Sequence, residues 1–186
     1  IVNNLGSYRS TVSTGAHEWV HHYLVFYPLG RSFFSSGDAR TINETVADIV
    51  GDEISDRVIA RFGDRVTHVD AGTARSIDRG SRLRELRVDV DKLLKLGMID
   101  DAERQMKDVR DYLEDRGIFI RRINQAYFAW FGTYAARDDA IDPLGIQLRK
   151  IRELAGSLGS FLKLIREVTT RDEVELLLSD LESRLD

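Results

Sequence analysis

The sequence contains no cysteine, so disulfides and thiolate metal ligands are excluded. Any bound metal falls to His, Asp and Glu. Only four histidines are present, which makes a pair at ligand spacing informative. No apolar run reaches the length of a membrane span. No Lys/Arg block stands out, and the net charge is −4, so nothing points to nucleic-acid binding. The absence of cysteine does not fix a compartment. The chain begins at Ile1 rather than Met, which reads as a fragment or a processed form whose upstream signal or anchor would precede it. Its 186 residues, 42% hydrophobic and 31% charged, suit one globular domain with a sizeable core.

What is present centres on His17-Glu18-Trp19-Val20-His21. Residues four apart on a helix lie about 40° apart around its axis, so His17 and His21 share a face. Two imidazoles there can hold one zinc ion at about 2.0–2.1 Å each. Glu18 lies about 100° round from His17, where it can take a proton from water without being a ligand. No proline interrupts Thr14–Tyr27, Ser13 or Thr14 can cap the start, and Pro28, Leu29 and Gly30 end the run. Trp19, Val20, Tyr23, Leu24, Val25 and Phe26 point all round the axis, which predicts a buried helix.

A second segment, Ile42–Phe62, predicts another helix. Glu44 and Asp48 share one face with the small residues Ala47, Gly51 and Ser55. Ile42, Val46, Ile49, Val50 and Ile54 lie mainly opposite. Small residues allow close approach to the first helix. Glu44 is then the candidate third ligand, and Asp48 can hydrogen-bond a ligand histidine through its other ring nitrogen.

His17-Glu18-x-x-His21 followed by Asn43-Glu44-x-x-x-Asp48 resembles the signature of the thermolysin-type gluzincins, which are zinc metallopeptidases. The resemblance implies His17, His21 and Glu44 as zinc ligands, Glu18 as general base and Asp48 as the partner that orients a ligand histidine. The longer pattern His-Glu-Trp-x-His-His-Tyr-Leu with Ile-Asn-Glu-Thr-Val-Ala-Asp also looks like a group of uncharacterised bacterial predicted aminopeptidase-like proteins. The resemblance covers about the first third of the chain. Past it there is no histidine motif like the one those enzymes use to stabilise a tetrahedral intermediate.

Other readings of the same residues stand beside this one. His17 and His21 can be core histidines. Thr41-Ile-Asn-Glu44 matches a capping box, which would occupy the Glu44 side chain. His22 points away from His21, and His68 reads as a loop residue. Phe33 and Phe34 read as anchors of a polar loop on the core rather than pocket walls. Arg40 reads as a surface arginine, with contact to a substrate carboxylate as its other role.

The rest of the chain reads as scaffold. Ser7–Val12 suits a short extended segment. Residues 63–80 break any period and predict a loop or linker. Residues 81–97 and 99–117 predict a helical hairpin. Residues 118–136 are rich in aromatics and predict a buried helix, with Tyr127 and Tyr134 on one face as candidate oxyanion donors. Residues 138–143 predict a turn, and short amphipathic helices follow, with Ser157 and Thr170 as caps.

The expectation is therefore a mainly α, zincin-like single domain with at most a short N-terminal β segment. Residues 1–62 form the metal-site segment, 63–80 a linker, and 81–186 a helical remainder. The expected activity is zinc-dependent hydrolysis of a peptide or protein substrate. The alternative is a non-catalytic metal-binding or helical scaffold protein.

Overall fold

The computed structural model describes residues 7–64, 79–118, 120–124, 126–128, 135 and 141–184. These are mainly α-helical, and no strand occurs among the described residues. The expected linker falls mostly outside them, with His68, as does Tyr134. In chain order the helices are α1 (Tyr8–Leu24), α2 (Pro28–Arg31), α3 (Gly37–Phe62), α4 (Arg79–Lys95), α5 (Ile99–Glu114), α6 (Leu144–Leu154), α7 (Leu158–Ile165) and α8 (Arg171–Ser183). None of them is long and apolar enough to cross a membrane.

The chain packs as two compact units. Among the described residues, the first holds 7–64, 135 and 143–184, and the second holds 79–118, 120–124, 126–128 and 141–142. The C-terminal helices thus pack with the metal-site segment.

In the first unit, α1 starts earlier than its apolar pattern predicts. Ser7, not Ser13 or Thr14, is the cap, and its hydroxyl accepts from Ser10 N at 3.2 Å. Tyr8–Val12 is therefore helix rather than an extended segment. Partners on α3 explain why so polar a turn is ordered: Arg9 pairs with Asp56 at 2.6 Å, and Ser13 donates to Asp52 at 3.2 Å. Nor is α1 buried all round. Val20 and Leu24 are fully buried, whereas Trp19 is 53% exposed, and Phe26, past the end of the helix, is 70% exposed. The helix ends at Leu24, and Pro28, with φ preset for a helix, opens the single turn of α2.

α3 also starts early. Ser36 caps it, accepting from Ala39 N at 3.2 Å. Thr41 then lies inside the helix and donates its hydroxyl to Gly37 O at 3.0 Å. The capping box expected at Thr41 and Glu44 does not form, which releases the Glu44 carboxylate for another role.

α3 is the centre of this unit. Ile42, Val46, Ile49 and Val50 enter a core shared with Leu148, Ile151 and Phe161. The opposite face is Ala47, Gly51 and Ser55, all buried. There α1 comes so close that a Cβ on Gly51 would lie 2.8 Å from the Ser13 carbonyl oxygen and 3.4 Å from His17 Cβ. Arg152 on α6 holds Glu53 through two contacts of 2.7 Å, and Arg171 on α8 holds Asp38 at 3.0 Å. Ser157 and Thr170 cap α7 and α8 as predicted.

In the second unit, α4 and α5 form the expected hairpin, turned by Gly97 at φ 74°. Its core includes Leu83, Leu86, Val90, Met106, Val109 and Leu113. The long helix predicted over 118–136 is not seen across 120–124, which are irregular. Asn124 competes with the helix there: its side-chain oxygen accepts from Tyr127 N at 2.9 Å and starts a new turn at 126–128.

Gly51→Val tests the close approach of α1 and α3. A side chain there must part the helices, at an overpacking cost of about 1–3 kcal/mol. On an unpacked helix, removing a glycine would be stabilising instead. Chemical denaturation should show lowered stability; an unchanged or raised midpoint would contradict the packing described.

Candidate metal centre

α1 and α3 meet along an antiparallel polar seam with the period of a helical turn. Arg9, Ser13 and His17 pair with Asp56, Asp52 and Asp48, in that order. His21 continues the row and meets Asn43 and Glu44. The spacing of four on both helices keeps each pair on the shared face.

The hydrogen bonds of the two imidazoles fix their chemistry. His17 Nδ1 lies 3.0 Å from Asp48 Oδ1. A carboxylate only accepts, so Nδ1 carries the proton. His21 Nδ1 lies 2.7 Å from Asn43 Oδ1 and likewise donates. In the neutral rings both Nε2 atoms are then bare lone pairs, and they face each other at 2.9 Å. Glu44 Oε2 points at the same spot, 3.4 Å from His17 Nε2 and 3.5 Å from His21 Nε2. It is buried and makes no hydrogen bond of normal geometry. Three acceptors directed at one point repel unless a cation lies among them.

These residues fit a metal ion. A tetrahedral ion with bonds of about 2.0–2.1 Å spaces its ligands about 3.3 Å apart, and the three edges here are 2.9, 3.4 and 3.5 Å. His17, His21 and Glu44 are the group of described residues able to hold one. A proton is the other cation the site can take. Burial disfavours charge on His17, but Asp48 and Glu44 outweigh it and raise its pKa to about 9. Burial likewise disfavours the Glu44 carboxylate, yet His17 and His21 hold its pKa down at about 2. A proton on His17 Nε2 satisfies the short edge to His21 but leaves Glu44 Oε2 short of hydrogen-bond contact.

Glu18 is exposed and shares a cavity of about 340 Å³ with the three ligand candidates. Asn43, Val25, Gly30, Phe33 and Phe34 complete the lining. The two phenylalanines are thus pocket walls, not mere loop anchors. Phe33 sets its ring edge-on to His21 at 5.9 Å, while Phe34 is 87% exposed. Arg40 sits behind Phe33, 5.5 Å from its ring centre. His22 turns outward and bonds Glu18 O at 2.8 Å. Tyr127 packs against the core of the second unit. Among the described residues lining the cavity there is no tyrosine, arginine or further histidine.

Asn43 is the site residue that motif reading left without a role. It is 1% exposed and orients His21 as Asp48 orients His17. Its position carried a signal, since residues 43, 47, 51 and 55 form one row on the face that meets α1.

Comparison with known protein families, curated proteins and solved structures finds no match.

The raised pKa of His17 gives metal binding a definite pH dependence. Its proton stabilises the metal-free fold below the unfolded value near 6.5, and that contribution is lost as pH rises through about 9. A metal must displace the same proton. Binding near neutral pH should release about one proton per chain, and affinity should fall about tenfold per unit as pH drops from 8 to 7. Calorimetry in buffers of different ionisation enthalpy reads both; a pH-independent affinity would remove His17 from the ligand set.

Proposed function

We propose that this chain is a zinc-dependent peptide hydrolase. The convergence of two imidazole lone pairs and one buried carboxylate oxygen, with Glu18 on the wall of the same cavity, carries the reading. Two nitrogens and one carboxylate suit zinc, and three protein ligands leave a fourth position open, as catalytic zinc requires. The order His-Glu-x-x-His and then Asn-Glu-x-x-x-Asp adds the gluzincin resemblance.

Bound zinc would supply Lewis acidity toward a carbonyl and lower the pKa of water to about 7. Every other part belongs to the chain. His17, His21 and Glu44 hold the ion. Asp48 and Asn43 keep each Nδ1 protonated and so keep each Nε2 free to bind. Glu18 accepts a proton from the attacking water and returns it to the leaving amine.

The second reading is a metal-binding protein without turnover. It is favoured by the lack of a tyrosine, arginine or further histidine for a developing oxyanion among the described residues lining the cavity. Of the two tyrosines expected to supply one, Tyr127 packs on the core of the second unit and Tyr134 lies outside the described residues.

Elemental mass spectrometry of protein purified without chelator should find about one zinc per chain, as a site with three protein ligands implies, and none in His17→Ala/His21→Ala. Glu18→Gln should keep the zinc and lose at least about 10²-fold in cleavage of a peptide library, the range for removal of a general base. Zinc with no cleavage by the unaltered chain favours the second reading, and no metal at all removes both.

A further inference from the structure

The cavity has two unlike halves. One carries the ligands and Glu18; the other is Val25, Phe33, Phe34 and the backbone of Gly30. The apolar half is built rather than incidental. Phe33 is held on one side by His21 and on the other by Arg40, whose guanidinium also reaches the Phe33 carbonyl at 3.4 Å. Phe34 stacks edge-on against Phe33 at 5.0 Å. Gly30 is compelled by packing, because a Cβ there would lie 2.2 Å from Leu24 O, so this corner of the cavity has no side chain in it.

Nothing in the first unit's core accounts for Phe34, which is 87% exposed, or for Val25, which is 52% exposed. Apolar surface on a monomer is ordinary when scattered, but here it is contiguous with a polar site. The volume of about 340 Å³ lies at the small end of ligand pockets, about 300–1,000 Å³. That is room enough for one large side chain beside the metal position.

We propose that Val25, Phe33 and Phe34 form a binding site for one aromatic side chain of the substrate, next to the bond held at the metal. The proposal rests on the zinc-hydrolase reading and assigns it a substrate class. Phe33 offers a ring edge-locked against His21, and Phe34 covers the bound ring and loses its own exposure. Offset or edge-to-face contact between rings selects an aromatic group over an aliphatic one of equal area.

The test needs no turnover. Zinc-loaded protein is titrated by calorimetry with acetohydroxamate, which has only a metal-binding head, and with 3-phenylpropanohydroxamate, which adds an aromatic tail. The aromatic compound should bind at least about tenfold more tightly. Phe34→Ala should remove most of that gain while leaving zinc content and the thermal unfolding midpoint in place, because the side chain is exposed. Equal affinity for the two compounds overturns this proposal and leaves the metal site standing. A gain that survives both Phe34→Ala and Val25→Ala also overturns it, since the ring then binds elsewhere. If neither compound binds the zinc-loaded protein, the hydrolase reading falls and this proposal falls with it.

Discussion

The first unit depends on the seam between α1 and α3. A buried polar group without a partner costs about 1–3 kcal/mol, so a polar seam between two helices is tolerable only when each rung is matched. Here the rungs recur every four residues on both helices, and they differ in kind: a guanidinium with a carboxylate, a hydroxyl with a carboxylate, then two imidazoles with a carboxylate and an amide. The exposed end of the seam contributes little, since ion pairs in water are weak. The inner end, where the imidazoles converge with Glu44, is the part left unresolved without a cation.

That arrangement divides labour between the helices. α1 supplies both imidazoles and Glu18. α3 supplies the third ligand at Glu44 and the two outer partners at Asn43 and Asp48, all within about one and a half turns. The other face of the same stretch, Ile42, Val46 and Ile49, enters the core. Hydrophobic packing therefore holds the ligand helix, and salt bridges from Arg152 and Arg171 pin it to the C-terminal helices. Rigid support of this sort is what a site accurate to a fraction of an ångström requires.

Much of this was legible in the sequence, and the reason is local geometry. The spacings of His17 with His21 and Glu44 with Asp48 are properties of any helix, and the small-residue row Ala47, Gly51, Ser55 marks a face fit for close contact. Helix starts were harder, because Ser7, Ser10, Ser13 and Thr14 are all acceptable caps and tertiary pairing chose the first. Capping by Ser36 moved Thr41 into the interior of α3 and so dissolved a convincing local motif. The exposure of Trp19 and Phe26 could not be read from an apolar pattern, which does not distinguish a core face from an exposed one. The irregular stretch 120–124 departs from its pattern for a local reason: its apolar residues satisfy a helical period, while Asn124 redirects the backbone.

Gly51 has a meaning beyond tight packing. A slip of α3 along α1 by one turn, about 5.4 Å, would keep most carboxylates facing α1, since they repeat every four residues. The polar pairing alone is thus nearly degenerate with respect to such a slip. The glycine is not. Either slip would bring Ala47 or Ser55 to the point where even a Cβ lies 2.8 Å from the Ser13 carbonyl oxygen. One of the slips would also set Arg40 against His21. A residue with no side chain therefore acts as the detent of a sliding scale, and helps to align Glu44 with the histidine pair.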